Sequence, residues 1–496
     1  MKLDERDFRR FDGKFYPQVP TDLIVDCFGH KQVHFRQTHG HGAFVYLNAK
    51  RRQFLHAQQY SDSFDLVAWV RQHQAQLSLL ITETPIPELK DELPQFIVPN
   101  AWEFYKAAAS YSRQLYDGNV IAITGSVGKS TTRLMTVELL RALKRHVNTN
   151  IGNENVRQVV IPLLATTLQN PDDLVAEISI NALNNRDGRQ GVTARYYAAD
   201  AAIITQVGGA HLAELSNVDD PLMFLAERKS RIFDEMPATG RAILNYDMEP
   251  RVYRYLVDVA HQHTDHLYAY SYADQHADAY VVKTEDFRDH TAVTMAILGE
   301  TVTANLSMPG KGVILDLLAA CLTLKSLGLP LPDVTNLFMN FEALNSELKF
   351  YEIPTSHGKV TIVDDTHGST LHSVNNVISV FKARGQFYAG QKVLVMETGE
   401  DLGEDAAAYN LRFKDPLLTS HVDALIGYRD DAIKPLVDAV QPQLKTGFYQ
   451  ELAPVQAAID DLPNDSLVII KSSDGRKYGS DLWTLPEKLL HATSEV

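Results

Sequence analysis

The stretch VIAITGSVGKSTTRLM, residues 120–135, decides the fold. It begins with apolar, mostly β-branched residues, which predict a buried strand, and the glycine turn that follows leads into residues that favour a helix. Gly125 and Gly128 let the backbone pass close to an oxyanion. Lys129 offers a positive charge to the outer phosphates, and the Ser130 hydroxyl is suited to Mg²⁺. The stretch therefore predicts an α/β unit that binds a phosphate chain.

The composition is that of a globular protein, with 45% apolar and 22% charged residues in a chain of 496. A formal charge of −15 disfavours binding to a nucleic-acid backbone, which requires clustered Lys and Arg. Cys27 and Cys321 are too far apart to indicate a metal site or a disulfide framework. Neither a signal-peptide pattern nor an apolar run of membrane-spanning length is present, so the sequence predicts a cytoplasmic protein without membrane insertion.

Strand and helix patterns predict three α/β domains, at residues 1–117, 118–345 and 346–496. In the first, strands are predicted at 42–49 and 77–83 and a helix at 100–118. In the second, strands alternate with helices, which is typical of a mainly parallel sheet covered by helices. In the third, a Rossmann-like unit, the predicted strands lie at 359–365, 391–398, 422–428 and 466–473.

Three polar residues of the middle domain are candidates for a site. Glu177 closes the strand pattern DLVAE, and His211 follows the pattern IITQVGGA. Because ligands of open parallel sheets bind at the carboxyl ends of strands, both are candidate Mg²⁺ ligands, with an ordinary polar loop residue as the alternative. Lys229 falls on the apolar face of a predicted helix at 222–236, where a lysine must be paired, modified or extended to solvent.

Taken in order, these motifs resemble those of the Mur ligases, the ATP-dependent amide ligases of peptidoglycan precursor synthesis and their relatives. The resemblance is strongest to the branch that adds D-alanyl-D-alanine to UDP-N-acetylmuramoyl-tripeptide. It covers most of the chain from about residue 118 and is weaker in the N-terminal domain. The matching segments are ITGSVGKSTT (123–132), TNIGNENVRQVVIPL (149–163), TQVGGAHL (205–212), AERKSRIFDEMPATGRAILNYD (226–247), IVDDTHGSTLHSV (362–374) and LVIIKSS (467–473).

The resemblance implies a role for each matching residue. The catalytic residues it implies are Lys129, His211 and Lys229, and Lys229 corresponds to a lysine that reacts with CO₂ to form a carbamate. Two Mg²⁺ ions are implied, the first held by Ser130 and Glu177 and the second by His211 with the modified Lys229. The implied nucleotide-binding residues are Gly125, Ser126, Gly128, Lys129, Ser130, Thr131, Asn153, Lys349, Asp364 and Asp365.

The implied domains and reaction follow the family. The N-terminal domain would bind a substrate, the central domain ATP, and the last domain would close over the site. A carboxylate would attack the γ-phosphorus of ATP to give an acyl phosphate and ADP, and an amine would then displace phosphate to form an amide. The implied partners are small molecules, namely a carboxylate and an amine such as an amino acid, a peptide or a UDP-muramoyl peptide.

Two segments depart from the family pattern. The segment GKGVILD (310–316) has Gly312, Val313 and Asp316 where the family has His, Asn and Asn near adenine. The core Tyr-Asn-Ala-Asn-Pro of the last domain is replaced at 367–371, and Lys349 stands where an Arg is expected. An Arg-to-Lys exchange changes any bidentate contact. These departures predict altered substrates, and the alternative is the housekeeping addition of D-alanyl-D-alanine.

The sequence allows three other interpretations. A non-catalytic nucleotide-binding regulator would explain altered adenine contacts, although a decayed site would not be expected to keep Glu177, His211 and Lys229 together. A GTPase switch would use the D-x-x-G pattern at 365–368, but no N-K-x-D motif follows it. The stretch THGHG (38–42) has two histidines without acidic or Cys partners nearby, which favours a surface turn over a metal site.

Overall fold

The computed structural model describes residues 1–35, 38, 40–55, 64–152, 154–184, 193–208, 218–341, 348–366, 368–369, 371–399, 406–473 and 480–492. These residues form three separate sheets, each mainly parallel and each packed with helices. The predicted α/β class is confirmed. One sheet falls within each of the three predicted ranges, and the domain boundaries themselves stay a prediction.

The first sheet has the strand order β1-β5-β4-β3-β2, with β1 antiparallel to β5 and the other neighbours parallel. Asn100 caps the helix that leads out of this region, because its side chain accepts hydrogen bonds from the backbone of Trp102 and Glu103. The elements are β1 Lys14–Tyr16, β2 Cys27–Gly29, β3 Gly42–Val45, α1 Ala49–Leu55, α2 Leu66–His73, β4 Leu77–Thr82, β5 Gln95–Ile97 and α3 Ala101–Leu115.

The second sheet has nine strands in the order β14-β13-β12-β11-β10-β9-β6-β8-β7. Strands β6 to β12 pair with one another in parallel. At one edge β12 also pairs with β13 in the antiparallel sense, so that β12, β13 and β14 form an antiparallel ribbon. The strands are β6 Asn119–Thr124, β7 Val147–Thr149, β8 Asp173–Glu177, β9 Ala201–Ile204, β10 Arg241–Asn245, β11 Leu267–Ser271, β12 Ala279–Asp286, β13 Thr291–Ile297 and β14 Glu300–Leu306. The helices are α4 Lys129–Ala142, α5 Arg157–Ala165, α6 Ile180–Leu183, α7 Ala194–Tyr197, α8 Pro221–Ser230, α9 Pro250–Ala260 and α10 Lys311–Ser326.

The third sheet has the order β15-β16-β20-β17-β18-β19, with only β15 antiparallel to its neighbour. Its strands are β15 Lys349–Thr355, β16 Gly358–Asp365, β17 Lys392–Met396, β18 Ala424–Tyr428, β19 Lys445–Tyr449 and β20 Ser466–Lys471. Its helices are α11 Leu371–Arg384, α12 Ala406–Leu411, α13 Lys414–Leu418, α14 Lys434–Val440, α15 Leu452–Asp460 and α16 Leu485–Ala492.

The burial of β6 and α10 determines which edge of the second sheet carries the candidate site. Strand β6 is buried along Val120–Thr124 because helices cover both faces of the sheet. Helix α10 is apolar on most sides and packs against α4, and its buried residues share one core with β16, β17 and α11 of the third sheet. The segments that follow β6, β9 and β10 therefore lie beside α10 and α11 at one edge, where parallel sheets bind ligands.

Candidate functional site

The turn between β6 and α4, residues 125–128, forms the phosphate loop. Gly128 caps α4 in the left-handed region, at φ +86°, and a Cβ there would collide with the Asp316 carboxylate. This is a position that only glycine fits without strain. Lys129 begins the helix, and its Nζ lies 3.3 Å from the Ser126 carbonyl oxygen, so the cation folds back over the loop. The free N–H groups of the first helical turn face the same region, which suits an anion.

The carboxylate of Glu177, at the end of β8, reaches the first turn of α4. The Ser130 hydroxyl donates to Glu177 Oε2 at 2.7 Å, and Asn155 Nδ2 donates to Oε1 at 2.7 Å. Arg133 Nε lies 3.5 Å from Oε2, and both charged side chains are only 1% exposed. The structure therefore brings together the two residues for which the sequence predicts a first Mg²⁺, and it places a buried cation beside them.

Three residues that support Glu177 were not singled out from the sequence. Asn150 brackets its backbone, accepting from Glu177 N at 2.7 Å and donating to Glu177 O at 3.0 Å. Arg133 is itself held by the carbonyl oxygens of Asn150 and Gly152 at 3.0 and 2.6 Å. The available signal was the TNIGNEN segment, which supplies Asn150 and Asn155.

Lys229 enters the same loop from α8. Its side chain is buried, and Nζ donates to the carbonyl oxygen of Gly125 at 2.7 Å. Burial, together with the nearby charge of Lys129, holds the pKa of Lys229 well below its usual value. The apolar face of α8 thus directs this amine to the phosphate loop rather than to solvent.

The other residues predicted for the central site are placed as follows. Ser126 Oγ accepts from the backbone N–H of Gly208 at 3.0 Å, which ties the phosphate loop to the segment after β9, and Thr131 is buried in α4. Asn153 and His211 lie outside the described residues, so their positions stay predictions. Within the described ranges no group of three or more His, Cys, Asp and Glu side chains is arranged to hold a metal ion.

In the third sheet, the paired acids at the end of β16 have partners within the chain. Asp364 accepts from the Thr366 hydroxyl at 2.8 Å, and Asp365 pairs with the buried Lys471 at 2.6 Å. Lys471, which lies in the predicted LVIIKSS segment, also donates to the Gly368 carbonyl oxygen. The contact of Asp364 and Asp365 with a nucleotide stays a prediction.

Two further features of the last region bear on the prediction. Lys349, at the start of β15, has its Nζ 5.3 Å from the centre of the Tyr351 ring. Its role at the nucleotide stays a prediction. The altered core at 367–371 includes His367 and Thr370, which lie outside the described residues.

A cavity of about 330 Å³, here called the α10–α11 cavity, lies beside the phosphate loop. The ends of β9 and β10 and the start of α10 form one wall, and α11 forms the other. Lys311 pairs with Asp247 at 2.9 Å on the first wall. Six of the lining residues are Gly128, Gln206, Asn245, Gly312, Asp316 and Asn376. Two of the three positions that depart from the family in the segment 310–316 therefore line this cavity.

No helix in the described part of the chain is both long and apolar enough to cross a bilayer. Residues 123–324 match the family model described as the Mur ligase middle domain. Among curated proteins, the chain is similar to UDP-N-acetylmuramoyl-tripeptide–D-alanyl-D-alanine ligase of Escherichia coli strain K12, with 24% identity over 335 residues, 68% of this chain and 70% of that protein.

Two solved structures share the fold over almost the full length. MurF from Acinetobacter baumannii has a TM-score of 0.72 and 19% identity, with 100% of this chain and 99% of that chain covered. MurF ligase from Thermotoga maritima, solved in complex with ADP, has a TM-score of 0.68 and 17% identity, with 95% and 100% covered. At these identities the likeness shows the fold.

Proposed function

Because the chain belongs to the Mur ligase family, we propose that it is an ADP-forming ligase that joins a carboxylate to an amine through an acyl phosphate. The observation that carries the proposal is the convergence of Ser130, Glu177 and Lys229 on one phosphate loop. A relative of the same fold was solved with ADP, which supports ATP as the nucleotide.

In the proposed reaction, a carboxylate oxygen attacks the γ-phosphorus of ATP, the bond from that phosphorus to the β–γ bridging oxygen breaks, and ADP leaves. The amine then attacks the acyl carbon and loses a proton, and inorganic phosphate leaves as the acyl C–O bond breaks. Lys129 folds back over the phosphate loop, and its charge would offset that of the phosphoryl group. Water would hydrolyse the acyl phosphate, and the wall formed by α11 is suited to exclude it.

The residues beside the loop fit one Mg²⁺. A serine hydroxyl and a carboxylate are the oxygen ligands that this ion prefers, and Ser130 and Glu177 lie 2.7 Å apart. When bound, the ion would supply positive charge to the phosphate oxygens. We propose these two residues as its protein ligands, with His211 and Lys229 serving a second ion.

The surroundings of Lys229 fit a carbamate. Only an unprotonated amine adds to CO₂, forming an N–C bond and releasing a proton, and the burial that lowers the pKa of Lys229 increases the share of that form. The product is an anion, which turns a buried cation beside Lys129 into a group that can pair with it. We therefore propose Lys229 as the modified residue.

We further propose that the substrates differ from those named for the Escherichia coli relative. The support is the altered wall of the α10–α11 cavity, with Gly312 and Asp316, and the altered segment at 367–371. The residues that we propose for catalysis match the family motifs, whereas the segments at 310–316 and 367–371 do not, which supports a kept reaction with changed substrates.

The test supplies the purified protein with ATP, Mg²⁺ and pairs of acceptors and amines, and measures ADP release together with the amide by mass spectrometry. One pair is UDP-muramoyl-tripeptide with D-alanyl-D-alanine, and the panel adds amino acids, dipeptides and other UDP-muramoyl acids. We expect ADP and amide with a panel pair. Efficient amide formation from the first pair would overturn the proposal of altered substrates, and the proposal of a ligase would stand. ATP binding without turnover of any pair would favour a regulator.

A further inference from the structure

In the α10–α11 cavity, the side-chain amide of Asn376 in α11 occupies the space that a side chain at position 312 of α10 would take. At Gly312, a Cβ would lie 2.7 Å from Asn376 Nδ2 and 2.9 Å from Asn376 Oδ1. Helix α11 approaches α10 this closely because position 312 has no side chain. The two helices come from different sheets, so this amide belongs to the far wall of the cavity.

The polar atoms of Asn376 are available to a ligand. The side chain is half-buried and lines the cavity, and it makes no hydrogen bond to the described part of the chain. Its backbone, by contrast, is fixed in α11, where the Asn376 carbonyl oxygen accepts from the Ser379 hydroxyl at 2.6 Å. A rigid helix therefore presents one donor and one acceptor side by side.

The position of the cavity indicates what this pair of groups meets. Phosphates at residues 125–128 would place the rest of a nucleotide in the adjoining space, and about 330 Å³ is within the range of small-ligand sites. The edge of adenine presents an amino donor beside a ring-nitrogen acceptor, and an asparagine amide matches both at once. The opposite wall offers no side chain at position 312 to make that contact.

We propose that Asn376 is the specificity-determining residue that hydrogen-bonds the adenine edge of ATP, in place of a side chain at position 312. The inference rests on the proposed function only in taking ATP as the nucleotide. It assigns base recognition to the last domain, so ATP connects the phosphate loop to α11.

The test measures equilibrium binding of three probes with Mg²⁺: ATP, purine riboside triphosphate, which lacks the 6-amino group, and inorganic tripolyphosphate. We expect the unaltered protein to bind ATP about 10-fold more tightly than the purine analogue. Asn376→Ala should remove this preference and leave tripolyphosphate binding unchanged. A variant that keeps the preference, or that loses all three probes equally, would overturn the inference.

Two further variants sharpen the result. Gly312→Ala displaces the Asn376 amide without removing it, and alanine favours the helix, so we expect the preference to fall with no loss of thermal stability. Lys382→Ala, on the exposed side of the same helix and outside the cavity lining, is the control and should keep the preference. If the control variant loses the preference for ATP over the purine analogue while Asn376→Ala keeps it, the adenine contact does not belong to Asn376.

Binding needs no acceptor or amine, so failure of the ligase proposal is distinguishable. A protein that shows the Asn376-dependent preference but forms no amide would keep this inference and lose the proposed reaction. If the protein forms an amide but Asn376→Ala does not alter the preference for ATP, the proposed reaction stands and this inference fails.

Discussion

Glu177 places a negative charge beside Ser130 in the first turn of α4. Glu177→Gln keeps the shape of the side chain and an acceptor for Asn155, but it removes the charge beside Ser130. We expect the rate of ADP formation to fall at least about 100-fold, since charge stabilisation by a bound metal is worth several kcal/mol. The Mg²⁺ concentration for half-maximal rate should rise. ADP release across a Mg²⁺ titration is the measurement.

The control for this variant is Glu138→Gln, on the exposed side of α4, where Glu138 pairs with Arg141 at 3.2 Å. This variant changes the net charge by the same amount, and it should leave the rate of ADP formation and the Mg²⁺ concentration for half-maximal rate unaltered. Arg133 keeps two backbone acceptors when Glu177 is neutral, so we expect both variants to fold. An active Glu177→Gln enzyme with an ordinary Mg²⁺ requirement would contradict the metal assignment.

Replacement of Lys229 is expected to change stability and activity in opposite directions. Its pKa in the folded protein lies below that in the unfolded chain, so the unfolded state binds more protons between these two values. The loss of folding stability caused by burying this amine is therefore largest below the folded-state pKa, and it decreases as pH rises towards the ordinary lysine pKa. Lys229→Met should raise the melting temperature near neutral pH and abolish ADP formation. Thermal melts across the neutral to alkaline range check the slope.

A bicarbonate series separates the carbamate from simple burial. Added bicarbonate should stabilise the unaltered protein and leave Lys229→Met unchanged, because a ligand that binds the folded state raises its stability. Lys325→Met is the matched control, since Lys325 is paired with Glu300 at 2.7 Å near the surface. A melting temperature equally sensitive to bicarbonate in Lys229→Met would rule out this residue as the site.

At the scale of elements, the phosphate loop depends on the backbone of Gly128. Gly128→Ala forces an L-residue to φ +86° and drives its Cβ into Asp316. Gly299→Ala is matched, because Gly299 has φ +81° in the β13–β14 turn but no atom within 4 Å of the added Cβ. We expect each to lose about 1 kcal/mol to backbone strain. Gly128→Ala should lose more, and it alone should weaken ATP binding.

Chemical denaturation and ATP titration of both glycine variants give the measurement. Equal losses of stability would mean that Asp316 moves freely away from the loop. Equal ATP affinity in the two variants would mean that the turn at 125–128 does not bind phosphate, which would contradict the interpretation of the loop itself.

The elements that the sequence predicts well are those with a local signal. Strand β6 and helix α4 follow from an apolar run, a glycine turn and a change of period, and Asn100 marks the start of α3. The antiparallel ribbon β12–β14 was not predicted, because its exposed positions, such as Lys283 and Glu285, are polar and its register depends on neighbouring strands. The TNIGNEN segment marks Asn150, but the two hydrogen bonds of Asn150 with the Glu177 backbone join residues 27 apart and follow only from the fold.

At the scale of the whole molecule, the unpredicted ribbon connects the second and third sheets. In the β12–β13 turn, Arg288 donates to the Phe387 carbonyl oxygen at 3.1 Å and pairs with Asp465 at 2.5 Å. Behind it, the buried Arg384 of α11 donates to the Ser307 carbonyl oxygen at 2.6 Å, and burial lowers its pKa to about 10. These contacts fix α11 against the central sheet, and α11 is also the far wall of the α10–α11 cavity.

The arrangement predicts a remote effect on nucleotide affinity. Arg288→Ala removes a half-exposed ion pair worth about 0.5–1 kcal/mol, and this lowers the population of the arrangement in which α10 and α11 enclose the ligand. We expect the Kd for ATP to rise about two- to fivefold, while the Kd for tripolyphosphate stays unchanged because phosphates bind the loop alone. Arg251→Ala is matched, since it removes exposed pairs with Asp220 and Glu249 within the central region. Both Kd values should stay unchanged in that control. If Arg288→Ala leaves ATP affinity unaltered, the ribbon does not set the position of α11 at the cavity.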